Sequence, residues 1–400
     1  MNILFLMKVF EVGGQEVVTS TLAQSFVSHG HSVTIVSFKQ PNPLMQKRLN
    51  KRIEVLTLGK FCYSKENVEK LHSILINKQI NIVINQWGLP YISAKVLNEA
   101  KKELAIKTIA VYHNSPDSNA RIKEVEIALS QTTNHLKRWM LQCKKFAFKQ
   151  ITSQSMRYVY NHSDLYMVLS PSFIDKFKDF TGIKRPNHLI VQTNPVTVDA
   201  SDYVFSPEKK RKEIIYMGRI DYNQKRVYRV IDTWAVLEKQ FPDWLLTVVG
   251  DGPERKKLEQ QAKGLGLQHV SFEGFQSPKP YYERASILIL TSEYEGFPLV
   301  LAEGMSFGVV PVVYGSYSAV YDIIKHKENG MIVQPQNGKF EVNEMAKQLA
   351  FVMENESKRN EMAQNAMLTS RRDYSLENIY RSWEKILGKS FESSDKESHY

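Results

Sequence analysis

The sequence predicts an α/β protein built from two doubly wound domains. Three observations carry that reading. Short apolar runs alternate with segments whose apolar residues recur at helical spacing, the rhythm of parallel strands covered by helices on both faces. The rhythm occurs twice, separated by the polar, aperiodic stretch DASDYVFSPEKKRKE at 199–213, which reads as a linker. A chain of 400 residues is also long enough for two such domains. We expect a first domain over 1–200 and a second over 203–372, with a closing helix at 375–390 packing back near the first.

In the first domain the expected strands are ILFLMKVF, HSVTIVSF, NIVINQW, KTIAVYH and DLYMVLS. Gly13 and Gly14 make a tight loop after the first of them, and VVTSTLAQSFVSHG follows as a helix that stops at Gly30. The second domain offers EIIYMG, LLTVVG, VSFEGF, ILILTS and VVPVVY. LENIYRSWEKILG is the closing helix, and the tail ESSDKESHY is expected to fray.

Composition narrows the function classes. With 42% hydrophobic and 24% charged residues the chain reads as an ordinary soluble globular protein. Its two cysteines, Cys62 and Cys143, have no metal-ligand spacing and allow no disulfide framework, which fits a reducing compartment. MNILFLMKVFEVGG lacks a basic leader and a small-residue cleavage site, so it reads as a first strand and not a signal peptide. No apolar run approaches the length of a bilayer span. The expectation is a cytoplasmic protein that touches at most the inner face of the membrane. The net charge of +11 suits nucleic acid, an anionic membrane or anionic small substrates. Zinc-finger spacing, RNA-binding aromatic signatures and basic-zipper patterns are all missing, which argues against nucleic acid.

Open α/β sheets bind ligands beyond the carboxyl ends of their strands, and a cleft between two such domains is a preferred site. The segment EYEGFPLVLAEG, 293–304, begins at such a strand end. Glu295 falls in a loop, Pro298 suits a first helical turn, and Glu303 falls inside the helix. Free N–H groups at that helix start suit a diphosphate, and carboxylates accept hydrogen bonds from sugar hydroxyls. The bland alternative makes Glu295 a helix-dipole charge and Glu303 a surface residue. YMGRIDYNQKR places Gly218, Arg219 and Lys225 in a loop after another strand. Glycine permits close backbone approach, and the two cations suit phosphate oxygens. The alternative there is a solvated basic loop. GDGP at 250–253 lacks the third glycine of a dinucleotide fingerprint, so it reads as a tight turn and not as a dehydrogenase motif.

Taken together, VGG near the start, GRIDYNQK, VVGDGP, EGFPLVLAE and the ENG turn followed by MIV occur in the order seen in retaining glycosyltransferases of family 4, which this chain resembles from residue 1 to about 387. The resemblance implies the GT-B fold, two Rossmann-like domains facing a central cleft. It implies that Glu303 holds ribose hydroxyls, that Glu295 faces the transferred sugar, and that Arg219 and Lys225 neutralise the leaving diphosphate. Phe297, Pro298 and Leu299 would contact sugar and phosphate, with Gly218 beside them. Gly13 and Gly14 would let the first loop approach the diphosphate. His113, in VYHN at a strand end, matches a histidine near the donor sugar. Where many relatives have an acidic residue and glycines, this chain reads YGSYSAV at 314–320, so the donor sugar does not carry over.

No Asp-x-Asp pair occurs, and no metal or other cofactor is expected; Arg219 and Lys225 would supply the charge instead. The implied function is a retaining, metal-independent glycosyltransferase of the hexosyltransferase type. It would move a sugar from a nucleotide-sugar, UDP-linked by expectation, to a glycan or lipid-linked acceptor in bacterial capsule, lipopolysaccharide or other surface polysaccharide synthesis. Two rivals stand beside it. A sugar-nucleotide epimerase of the same fold would convert donor without acceptor, and a non-catalytic partner subunit would not need Glu295.

One further stretch, LKRWMLQCKKFAFKQI at 136–151, sets apolar residues at helical spacing among lysines and arginine. It fits either a helix lying on an anionic membrane or a core-packed helix with a solvated basic face, Leu141 and Phe148 falling on the wetter side.

Overall fold

The structure, a computed structural model, describes residues 1–392, with side chains to Gly388. The tail expected to fray lies, but for its first residue, outside the described residues. The chain forms two compact units, Met1–Pro195 with the segment from Leu376 onward, and Val196–Ser375.

The first unit carries a seven-stranded sheet: β1 (Asn2–Met7), β2 (Ser32–Ser37), β3 (Glu54–Thr57), β4 (Ile82–Asn85), β5 (Lys107–Tyr112), β6 (Leu165–Val168) and β7 (Leu189–Val191). The order is β3-β2-β1-β4-β5-β6-β7, and every pairing is parallel. Ile3 to Met7 are fully buried, as a central strand covered on both faces requires. The first helix, Gly14–Ser28, ends where Gly30 takes a left-handed φ of 87°. The closing helix, Leu376–Glu392, belongs to this unit and packs on that first helix: the Trp383 and Tyr380 rings meet Phe26 edge-on at 5.9 and 6.0 Å.

The second unit carries β8 (Arg211–Met217), β9 (Leu245–Val249), β10 (Val270–Gly274), β11 (Ala285–Leu290), β12 (Val310–Tyr314) and β13 (Met331–Val333). The order is β10-β9-β8-β11-β12-β13, again parallel throughout. The stretch read as a linker is part of this unit: Pro207–Lys209 form a 3-10 turn, and Arg211 to Glu213 open β8. Lys210 explains why a charged run is not free chain here. Its Nζ donates to the Tyr282 carbonyl at 2.8 Å, and burial pulls its pKa down to about 7.

The helix expected at 136–151 is the first part of a long one, His135–Asn161, paired with the helix Ala120–Gln131. Glu126 ties the pair by an ion pair to Lys145 at 2.8 Å and is also held within its own helix by Lys123 at 3.0 Å. The side turned inward is not the expected one. Leu141 and Phe148 are the half-covered residues, while Leu136, Trp139, Met140, Phe146 and Ile151 are exposed. This part of the helix is therefore not core-packed. No described helix is long and apolar enough to cross a membrane.

Candidate active site

In the second unit β8 and β11 are parallel neighbours, so the loops after Met217 and Leu290 leave the sheet at the same edge. Gly218 follows β8 with φ 143°, a conformation that disfavours any side chain. The loop that begins there turns on Asp221, whose Oδ1 accepts from the Gln224 and Lys225 N–H groups at 2.7 and 3.2 Å. That turn delivers Lys225 to Glu295: Nζ to Oε1 is 2.5 Å, with both side chains largely buried. Gln224 donates to the other Glu295 oxygen at 3.2 Å and to the Tyr294 carbonyl at 3.2 Å. Arg219 joins through Asp221 (Nε to Oδ2, 2.9 Å) and Gln224 (Nη2 to Oε1, 3.1 Å). Its side chain stays 64% exposed, so its charge is available to an incoming anion.

The loop is pinned from below. The Glu293 N–H donates to the Gln224 carbonyl at 2.7 Å, and Arg229 ion-pairs with Glu293 at 3.0 Å. Thr291 donates to the Arg226 carbonyl at 3.1 Å. Three sequence-chosen residues, Arg219, Lys225 and Glu295, are thus parts of one hydrogen-bonded network with Gly218 at its root. Burial, with the nearby Glu295 charge adding to it, raises the pKa of two tyrosines, Tyr216 and Tyr317. Tyr216 donates to the Arg219 carbonyl at 2.7 Å. The Tyr317 hydroxyl is buried without a hydrogen-bond partner among the described residues.

Phe297 is buried against Tyr374, ring centroids 5.2 Å apart. Pro298 is the N-cap of the helix Leu299–Ser306; its carbonyl accepts from the Leu301 N–H at 2.9 Å, and no side chain caps this end. Glu303 is held apart from the lysine network. Thr197 donates to its Oε1 at 2.5 Å and Tyr282 to its Oε2 at 3.1 Å. Burial raises its pKa, opposed by those two hydroxyl bonds. It is a buried residue, not a surface charge.

The GDGP turn serves the same edge indirectly. A methyl group on Gly250 would lie 1.9 Å from the Gly218 carbonyl oxygen, and one on Gly252 would lie 2.1 Å from that of Ile220. The Gly218 N–H donates to the Val249 carbonyl at 3.0 Å and the Ile220 N–H to that of Asp251 at 2.8 Å. These glycines let two backbones touch, and that contact positions the Arg219 loop.

In the first unit β1, β4 and β5 are neighbours, and Gly13, Gln86 and His113 all follow their carboxyl ends. Gly13 is the N-cap of the first helix and Gly14 its first residue. Gln15 donates to the Gln86 carbonyl at 2.6 Å, and His113 Nε2 lies 2.5 Å from Gln86 Oε1. Burial holds the His113 pKa down to about 4, so the imidazole is neutral near pH 7 and donates from Nε2 to the amide oxygen. Glu16, buried in the first turn, has its pKa raised by desolvation.

The sequence reading missed Asp221, Gln224 and Gln86. Gln86 directly follows β4, while Asp221 and Gln224 lie four and seven residues past the end of β8, and only their hydrogen-bond partners mark them as parts of the site. Among the described residues no three His, Cys, Asp or Glu side chains are grouped to hold a metal ion.

Comparison with known proteins bears on this geometry. Residues 12–199 match the family profile described as Glycosyltransferase Family 4, and residues 200–369 match that of Glycosyl transferases group 1. The chain belongs to glycosyltransferase family 4. This glycosyltransferase is 26% identical over 393 residues to an uncharacterized glycosyltransferase of Haemophilus influenzae, covering 96% of this chain and 98% of that one. It is 26% identical over 389 residues to a Campylobacter jejuni α-1,4-N-acetyl-D-galactosaminyltransferase acting on an undecaprenyl-diphosphate-linked glycan, with 97% and 98% coverage. Among solved structures, HepE of Anabaena in complex with UDP-glucose superposes with a TM-score of 0.75 at 18% identity, covering 97% of this chain and all of that one. The likeness shows the GT-B fold. Neither the epimerase nor the partner-subunit reading is favoured by these matches.

Proposed function

We propose that this glycosyltransferase is a retaining, metal-independent enzyme that moves a sugar from a UDP-sugar to a glycan or lipid-linked acceptor in bacterial surface polysaccharide synthesis. The observation that carries it is the network joining Arg219, Gln224, Lys225 and Glu295 at one sheet edge. The donor class draws support from the UDP-glucose named with HepE, and the acceptor class from the lipid-linked glycan named for the Campylobacter relative. The pathway draws support from relatives that include a Salmonella typhimurium lipopolysaccharide galactosyltransferase, 31% identical over 181 residues.

In this reading the donor diphosphate lies against Arg219, Lys225 and the start of the helix Leu299–Ser306. As the bond from the sugar C1 to the diphosphate oxygen breaks, its electron pair leaves with the diphosphate, and fixed positive charge steadies it. The acceptor hydroxyl forms the new C1–O bond on the face the diphosphate leaves, and its proton departs to the leaving oxygen. Glu295, oriented by Gln224, faces the sugar and stabilises the positive charge that develops on its ring. Glu303 holds ribose hydroxyls, with Thr197 and Tyr282 fixing its carboxylate plane. Within the first unit, Gly13 and Gly14 open the start of the first helix to a diphosphate, and neutral His113 can donate or accept at a sugar hydroxyl.

A thermal-shift panel of UDP, GDP, ADP and their sugars tests the donor class, with UDP and a UDP-sugar expected to raise the unfolding midpoint most. Stabilisation by none of them overturns the reading, and a preference for GDP or ADP overturns the UDP assignment. Transfer that persists in EDTA supports metal independence. An α-linked product from an α-linked donor, read by NMR, supports retention.

A further inference from the structure

The long helix His135–Asn161 presents its apolar side outward, which nothing in the sugar-transfer reading requires. In ideal helical geometry Leu136, Trp139, Met140, Phe146 and Ile151 share one stripe, with Cys143 and Ala147 inside it. Leu136 is 68%, Trp139 62% and Phe146 65% exposed. Large apolar side chains gathered on one solvent-facing stripe mark an interaction surface. The same geometry sets Lys137 and Lys144 along one border of the stripe, while Arg138 and Lys149 fall nearer the inward side that carries Lys145. None of these four cations has a carboxylate partner among the described residues. Lys145, by contrast, is spent on Glu126, which fastens the helix to its neighbour and leaves the outer face rigidly displayed.

We infer that residues 136–151 form an in-plane anchor for an anionic lipid bilayer. The stripe is about 22 Å long, too short to cross the hydrocarbon core but suited to lying along its surface. Trp139 sits among the aliphatic residues, where its ring suits the headgroup level, and the flanking cations face lipid phosphates. A second copy of the chain fits the surface poorly. Stacking two stripes would bring two sets of unpaired cations together, on a protein that already carries a net charge of +11. The inference does not depend on the identity of donor or acceptor.

The test is co-sedimentation of the full chain with phosphatidylcholine vesicles, with and without phosphatidylglycerol. Binding is expected to the phosphatidylglycerol vesicles and to weaken as salt rises. Trp139→Ser with Phe146→Ser should reduce the bound fraction by at least about tenfold, as loss of two large buried apolar groups implies. Lys137→Gln with Lys144→Gln should erase the preference for phosphatidylglycerol. Because all four residues are exposed, the unfolding midpoint of each variant should match the parent, which separates lost binding from lost fold. The inference is overturned if the parent does not sediment, if binding ignores either pair of substitutions, or if sedimentation velocity finds a dimer that Trp139→Ser with Phe146→Ser dissociates.

Discussion

The polar groups at the sheet edge of one unit and at that of the other are built from opposite materials. At the β8–β11 edge the side chains are charged and interlocked, with Lys225 on Glu295, Arg219 on Asp221 and Arg229 on Glu293. At the β1–β4–β5 edge the hydrogen-bonded groups are neutral, Gln15, Gln86 and an imidazole kept uncharged by burial, and the one cation beside them, Lys8, lies over the Trp87 and Phe61 rings without an ion pair among the described residues. A group that must hold an anion needs cations whose positions are already set, because charge fixed before the reaction costs nothing to reorganise during it. A group that must only orient hydroxyls does better with neutral amides, which donate and accept without adding repulsion. Under the proposed function the diphosphate belongs at the charged β8–β11 edge, beside the sugar-facing Glu295.

Substitutions can break or sharpen that contrast. The largest effect belongs to Glu295→Gln, which keeps the shape but removes the charge. We expect kcat to fall by roughly three orders of magnitude or more with a small change in KM, as for loss of a group acting in the transition state. Comparable kcat would put the sugar-facing role elsewhere. Next is Lys225→Met, expected to lower kcat/KM by about two to three orders of magnitude. It leaves Glu295 buried without its partner, so its unfolding free energy should be measured beside its kinetics. Arg219→Ala, at the exposed end of the network, should cost about ten- to a hundredfold and grow milder as salt screens the phosphate. A larger loss than Lys225→Met would reverse the order of the two cations.

The neutral edge makes a smaller prediction, in pH. His113 has a folded pKa of about 4, below the unfolded value of about 6.5. Between those values the unfolded chain binds more protons, so stability falls as pH drops from about 6.5 toward 4 and is unaffected above. His113→Gln removes that dependence and should lose less stability between pH 7 and 5, by at most about 2 kcal/mol, in urea unfolding at each pH. Identical pH profiles would contradict a buried neutral imidazole. The smallest effect is that of Tyr317→Phe. Its hydroxyl is buried without a partner, so its removal should raise stability by about 1 kcal/mol. If that hydroxyl serves the bound sugar, kcat/KM should fall in the same variant.

Much of this was legible in the residues because the central strands are covered on both faces and read as unbroken apolar runs. Leu288, Ile289 and Leu290 are buried whatever direction they point. The strands not foreseen, β3, β7 and β13, lie at the sheet edges and are three or four residues long. β3 and β7 are also only half-covered, so no apolar run announces them. At the site, Glu295, Lys225 and Arg219 stood out as charges at strand ends. Gln224 and Gln86 did not, because a neutral amide has no signature until its partners are known. For the helix at 136–151 the sequence left a membrane face and a packed face both open, and Leu141 and Phe148 fell on the wrong side for a related reason. Periodicity reports that one face is apolar, but which face meets the neighbouring helix depends on Glu126 pairing with Lys145, 19 residues away in sequence. The GDGP glycines look like a phosphate loop in one dimension, and only the close approach of the Gly218 and Ile220 backbones shows what they are for.

The most direct test of the central claim is calorimetric. The same-base nucleoside diphosphate and monophosphate are titrated into the parent protein and into Lys225→Met. We predict that the parent binds the diphosphate much more tightly and that most of that gap vanishes in the variant, with monophosphate affinity little changed. A gap that survives the loss of Lys225 would place the diphosphate somewhere other than the Lys225–Glu295 network.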